Sequence, residues 1–152
     1  GYIAAKWACY HPEKVDKLIL LCASGFARPK TSFLFKLIFY SLQGEKGLKK
    51  IEKLIFNRKE IDEETRYFFR LIAKGFKPRK GVPRLFKDKE IQNLKMPFYY
   101  IGGDHDVLIN IEESVKRIKA ILPHVKIEII ENMGHAVYDV VDLIFAFLIS
   151  EN

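Results

Sequence analysis

The chain has 152 residues, 49% hydrophobic and 30% charged, with a formal net charge of +7. That size and apolar content suit one buried core and exclude an intrinsically disordered chain. The longest apolar runs, Leu18 to Cys22 and Leu143 to Ile149, fall short of a bilayer span, and no signal-peptide pattern lies near Gly1.

Cys9 and Cys22 are the only cysteines, too few for a cysteine-built zinc site, and they predict buried thiols in a reducing, cytoplasmic setting. The charge is uneven. Residues 27–95 carry 19 Lys+Arg against 8 Asp+Glu, whereas the remainder carries 7 against 11. No RNA-recognition, helix-turn-helix or zinc-knuckle signature accompanies the lysines, so solvated helix faces are expected and no nucleic-acid partner.

In chain order, residues 2–10 predict a helix of small residues with Ile3, Ala4, Trp7 and Ala8 on one face and Pro12 beyond its end. Val15 to Cys22 (VDKLILLC) is an apolar run of the kind buried on both sides in a parallel sheet. Residues 27–95 then change grammar. Thr31 to Gln43 is a helix apolar nearly all round, which predicts burial on several sides or a face against a ligand. Leu48, Ile51, Leu54 and Ile55 mark a second helix, and a third begins near Asp62-Glu63-Glu64 and carries Tyr67, Phe68, Leu71 and Ile72. Lys77 to Pro83 reads as the connection back to the sheet.

The α/β rhythm then resumes. Met96 to Ile101 is a strand ending at Gly102-Gly103, and Ile111, Val115, Ile118 and Leu122 mark a helix that Asn110 can cap with Glu113. Val125 to Ile130 alternates like an edge strand, and Val137, Val140, Val141, Ile144 and Leu148 belong to a terminal helix. The expected class is α/β: about three parallel strands with helices, interrupted by an all-helical insertion.

Two motifs follow strands: Gly103-Asp104-His105-Asp106 and Gly134-His135. A carboxylate and an imidazole delivered from neighbouring strand ends are two thirds of a hydrolytic triad. Taken with the opening Gly1-Tyr2-Ile3-Ala4-Ala5, the strand LILLCASGF, the helical insertion, GGDHD and ENMGH, they give a sequence that resembles the C-terminal part of a capped α/β hydrolase of the serine esterase or lipase-like kind.

The resemblance implies a core of residues 1–26 and 96–152 with a helical cap at 27–95. It implies Asp106 as triad acid, three residues after Gly103, and His135 as general base. Asp104 is the competitor for the acid and is expected to stabilise the turn instead. The 152 residues hold no Gly-x-Ser-x-Gly, so the nucleophile and the oxyanion donors are expected upstream of Gly1, and the chain alone is expected to be inactive. Phe26, Val107, Phe39 and Phe68 are the candidates for a pocket taking a small ester or acyl substrate. No cofactor and no metal are implied, and Asp104-His105-Asp106 is expected to be a solvated turn. Cys22 is expected to be a core thiol, and Ser24 to sit in an ordinary loop. If the early strands lie elsewhere, residues 1–22 form an open edge prone to self-association. The rival reading is a stand-alone, non-catalytic α/β module that binds through its basic helices.

Overall fold

The computed structural model describes residues 1–58, 61–75 and 83–150. Helix α1 spans Tyr2–Tyr10, and strand β1 Leu18–Leu21 follows it. Three helices come next: α2 Ser32–Ser41, α3 Gly44–Phe56 and α4 Glu63–Gly75. The chain returns through a short helix α5 (Asp88–Ile91) to β2 (Phe98–Gly103), α6 (Ile111–Ile121), β3 (Lys126–Ile130) and α7 (Val141–Ile149). The three strands form one parallel sheet in the order β1-β2-β3, with Leu20 opposite Tyr100 and Tyr100 opposite Ile127.

Strand β2 is central, and all six of its residues are buried. Period-2 alternation divides its side chains between two cores. Phe98 and Tyr100 join Leu18, Leu20, Phe26, Phe86 and Ile118 beneath α1 and α6, whereas Tyr99 and Ile101 meet Val140 and Phe147 beneath α7. The rings of Tyr99 and Phe147 lie 5.2 Å apart. Burying each large side chain contributes about 1.5–3 kcal/mol, so β2 alone anchors both layers.

Several expectations change here. The buried face of α1 is Ala5, Ala8 and Cys9, while Ile3 and Trp7 point to solvent at 75% and 52% exposure. Small side chains let the helix backbone approach β1; the large ones cannot fit there. Strand β1 starts at Leu18 rather than Val15 and is an edge strand among the described residues, with Ile19 half-buried and Leu21 exposed. Helix α2 is not buried on several sides: Phe33 is its one buried residue, and Phe35, Ile38 and Phe39 are exposed. Val137 and Val140 precede the terminal helix rather than belonging to it. Most of the Lys77–Pro83 connection lies outside the described residues.

Helix α4 is turned against its own amphipathicity. Arg66 and Arg70 face inward onto buried Glu52 of α3, at 3.5 and 3.9 Å, while Tyr67, Phe68, Leu71 and Ile72 face out. Among the described residues no helix is long and apolar enough to cross a membrane.

Candidate active site

The C-terminal ends of β2 and β3 deliver two loops that are laced together by backbone. The amide of Asp104 donates to Ile130 O (3.2 Å), and that of His105 donates to Met133 O (2.9 Å). Gly103 makes this approach possible, because a Cβ there would overlap the carbonyl oxygens of Met133 and Gly134. Asp104 adds a side-chain tie, its Oδ1 accepting from the Met133 amide at 3.1 Å and lying 2.7 Å from His105 Nδ1. It ties the β2 loop to the β3 loop, while the turn itself is closed by the Asp106 amide donating to Gly103 O at 3.1 Å, and Asp104 is not bonded to His135.

Asp106 lies at the bottom of this arrangement, 1% exposed. The amides of Leu108 and Ile109 donate to its Oδ1 at 2.7 and 2.9 Å, and Oδ2 lies 2.9 Å from His135 Nδ1. Burial pushes the carboxyl pKa up, but the imidazole and the two amides outweigh it and hold the pKa below the usual value. The carboxylate is therefore ionised at neutral pH and fixed in orientation. Lys30 reaches in from the β1–α2 segment, its Nζ donating to the backbone oxygen of Asp106 at 2.8 Å.

His135 sits on the loop after β3, and α3 holds that loop. The Ala136 amide donates to Ile55 O (3.1 Å), and Asn57, which ends α3 in the left-handed conformation at φ 54°, donates from Nδ2 to Asn132 O (3.0 Å). Arg58 stacks on the Tyr138 ring at 3.6 Å and pairs with Asp139 at 3.6 Å. With Nδ1 turned to Asp106, the ring presents Nε2 for other chemistry.

His135 opens on a cleft of about 360 Å³ that Gly1, Tyr2, Cys22, Ser24, Leu108 and Ile109 also line. The start of α1 and the imidazole thus share one cavity. A larger groove of about 610 Å³ runs past Lys30, Asp104, Asn110 and Lys116, and His135 does not line it. Asn110 caps α6, its Oδ1 accepting from the Glu113 amide at 3.3 Å.

The structure brings Asp106 and His135 together and leaves the four pocket candidates out of the cleft. Phe26 is fully buried against Phe86, Phe98 and Tyr100, and Phe39 and Phe68 are 62% and 63% exposed. Val107 is half-buried beside the lining pair Leu108 and Ile109. Cys22 is the buried core thiol expected, but sequence reasoning missed its closeness to the pair. Its φ of 42°, rare for a residue with a side chain, carries the buried thiol to within 4.8 Å of the ligand atoms of both Asp106 and His135. Burial pushes its pKa to about 12.

No protein-family profile matches the chain. Over 55 residues it is 29% identical to an uncharacterized carboxylesterase of Bacillus subtilis (strain 168), covering 36% of this chain and 18% of that one. The structure of carboxylesterase CesB from Bacillus subtilis superposes with a TM-score of 0.77 at 18% identity, over 97% of this chain and 56% of that one. A bromoperoxidase from Bacillus anthracis gives 0.75 at 17% identity, over 96% and 63%. The chain spans between half and two thirds of the length of these two structures. Its parallel strands, flanking helices and strand-end loops are those of the C-terminal portion of the α/β-hydrolase fold.

Proposed function

We propose that the chain carries the acid and base of a serine-type hydrolase acting on carboxylic esters or similar small acyl substrates. The observation that carries this reading is the His135–Asp106 pair at 2.9 Å, open to a cleft that the start of α1 also lines. The carboxylesterase relatives support the substrate class.

A serine delivered from before Gly1, in the turn that leads into α1, would meet His135 in this cleft. Its hydroxyl gives its proton to Nε2 as the oxygen attacks the ester carbonyl. Asp106 stabilises the resulting imidazolium, and because two amides hold Oδ1, the carboxylate need not reorient when the charge forms. The proton then passes to the leaving alkoxide, and water repeats the cycle on the acyl-enzyme. Residues 27–95 serve as a helical cap on the core of residues 1–26 and 96–152, and α3 sets the position of the base. The two unpaired cysteines support a reducing, cytoplasmic setting.

Hydrolysis of p-nitrophenyl butyrate by a form with a Gly-x-Ser-x-Gly elbow preceding residue 2 tests the reading. His135→Ala and Asp106→Ala are expected to lower kcat by about three orders of magnitude or more, and Ser24→Ala to leave it unchanged. The 152 residues alone are expected to give no turnover above background. Activity that survives His135→Ala, or that depends on Ser24, would overturn it.

A further inference from the structure

We infer that Cys22, Asp106 and His135 form a binding site for a thiophilic divalent cation, zinc being the representative ion. The binding stands on geometry alone; its consequence for catalysis rests on the acyl-transfer reading.

The three side chains come from three successive strand ends: Cys22 follows β1, Asp106 follows β2 and His135 follows β3. Their ligand atoms all lie within 4.8 Å of one another. Zinc holds sulfur at about 2.3 Å and nitrogen or oxygen at about 2.0–2.2 Å, so the ligands of one ion stand less than about 4 Å apart. To satisfy it the longer separations must close by about 1 Å, while Asp106 Oδ2 and His135 Nδ1, 2.9 Å apart, must give up their hydrogen bond and open by a few tenths of an ångström to admit the ion.

The surroundings already prepare the ligands. The Leu108 and Ile109 amides hold Asp106 Oδ1, which leaves Oδ2 as a fixed monodentate donor. Hydrogen bonds of this kind to a ligating carboxylate are what orient and tune a metal site from outside its ligand set. The His135 nitrogen that faces this centre is Nδ1. Cys22 Sγ packs against the carbonyl oxygen of Gly134, 4.0 Å away on the same loop as His135. One thiolate, one imidazole and one carboxylate favour zinc over magnesium or calcium, which take oxygen donors. Cys22 and His135 both line the cleft, which gives the ion an access route. Two cysteines are too few for a cysteine-built site, but a mixed site needs only one.

On binding, the thiol proton of Cys22 leaves to solvent and the imidazole proton moves from Nδ1 to Nε2, with no change in oxidation state. An imidazole bound through Nδ1 and protonated at Nε2 has no lone pair for a serine proton. Zinc would therefore switch off the proposed hydrolase, and a chelator would restore it.

Competition with a chromophoric chelator measures zinc binding to the 152-residue chain itself. One ion per chain is expected, with affinity lost by more than about tenfold in Cys22→Ala and in His135→Ala and unchanged in Cys9→Ala. Cobalt(II) in the wild-type chain is expected to give a thiolate-to-metal charge-transfer band, which keeps the test decisive if Cys22→Ala fails to fold. Equal zinc affinity in folded Cys22→Ala, or a cobalt spectrum without that band, would overturn the site. Neither result bears on ester hydrolysis, and an inactive enzyme that binds zinc through Cys22 would leave the site standing.

Discussion

Gly134 rests against Ile55 so closely that a Cβ at Gly134 would overlap the Ile55 carbonyl oxygen. The glycine next to the candidate base is therefore where α3 docks on the β3 loop. Gly134→Ala must push the helix and the loop apart, at an overpacking cost of about 1–3 kcal/mol. We expect a lower Tm and a weakened His135–Asp106 hydrogen bond, read from the imidazole Nδ1–H resonance. Gly75→Ala, at the end of α4 with nothing within 4 Å of the new Cβ, is the control and is expected to be neutral or slightly stabilising. Equal melting curves for the two variants would show that the close contact is not retained in solution.

The two aspartates of the β2 loop separate by pH. The pKa of Asp106 is lowered in the folded chain, so its contribution to stability is complete above the unfolded pKa of about 3.9 and is lost as pH falls through the folded value. Asp106→Asn is expected to flatten the acid limb of the stability curve below about pH 4 and to break the link to His135. Asp104→Asn is expected to loosen the turn at Met133 and leave that link intact. Chemical denaturation between neutral and acid pH, with His135 followed by NMR, checks both. If Asp104→Asn alone disturbed His135, the acid assignment would be wrong.

How much of this was legible depends on what each signal encodes. Apolar runs marked β1 and β2, and alternation marked β3; only β2 is buried on both faces in full, because among the described residues it alone has a strand on either side. The glycine-bracketed motifs gave the Asp106–His135 pair, because both glycines are needed for backbone to meet backbone. Hydrophobicity by itself does not say where a partner lies. It gave α2 a burial that only Phe33 achieves, and it oriented α1 by its large residues when close packing selected the small ones. The four-residue α5 is too short for periodicity to reveal. The approach of Cys22 to the pair depends on one positive φ at a residue that is not glycine, and no composition or spacing rule signals it.

Burial governs both thiols. It pushes Cys9 to about 11 and Cys22 to about 12, so at pH 8 both stay protonated. We expect no reaction with Ellman's reagent on the timescale of minutes in the native chain at pH 8, and two thiols titrated in guanidinium. A thiol that reacted at once in the native state would contradict its burial.

Glu52 holds α4 to α3. It is 2% exposed, with Arg66 and Arg70 about a third exposed on either side. Removing one partner of a buried pair leaves an uncompensated charge and costs about 3–5 kcal/mol, less here because both guanidiniums reach solvent. Glu52→Gln is expected to accelerate hydrogen exchange in residues 63–75 before any change in β2. Exchange that rose uniformly across the chain would show that α4 is held by something else.

The last expectation concerns the outer side of β1. Among the described residues β1 pairs only with β2, so its other edge presents free backbone donors and acceptors beside exposed Leu21. Helix α1 turns Ile3, Trp7 and Tyr10 to solvent, so an apolar stripe and an open strand edge occur within the first 21 residues. An edge of this kind pairs with whatever strand is offered, and in a solution of the chain alone that strand is a second copy. Two-fold pairing through β1 would continue the sheet across both chains and cover the apolar stripe. Light scattering of the 152-residue chain at micromolar concentration is expected to give a dimer or larger. Leu21→Lys, which charges the edge, and Trp7→Glu, which charges the stripe, are each expected to shift it toward monomer without lowering Tm. A monomer in the wild type would show that water alone satisfies this edge and would favour the stand-alone module.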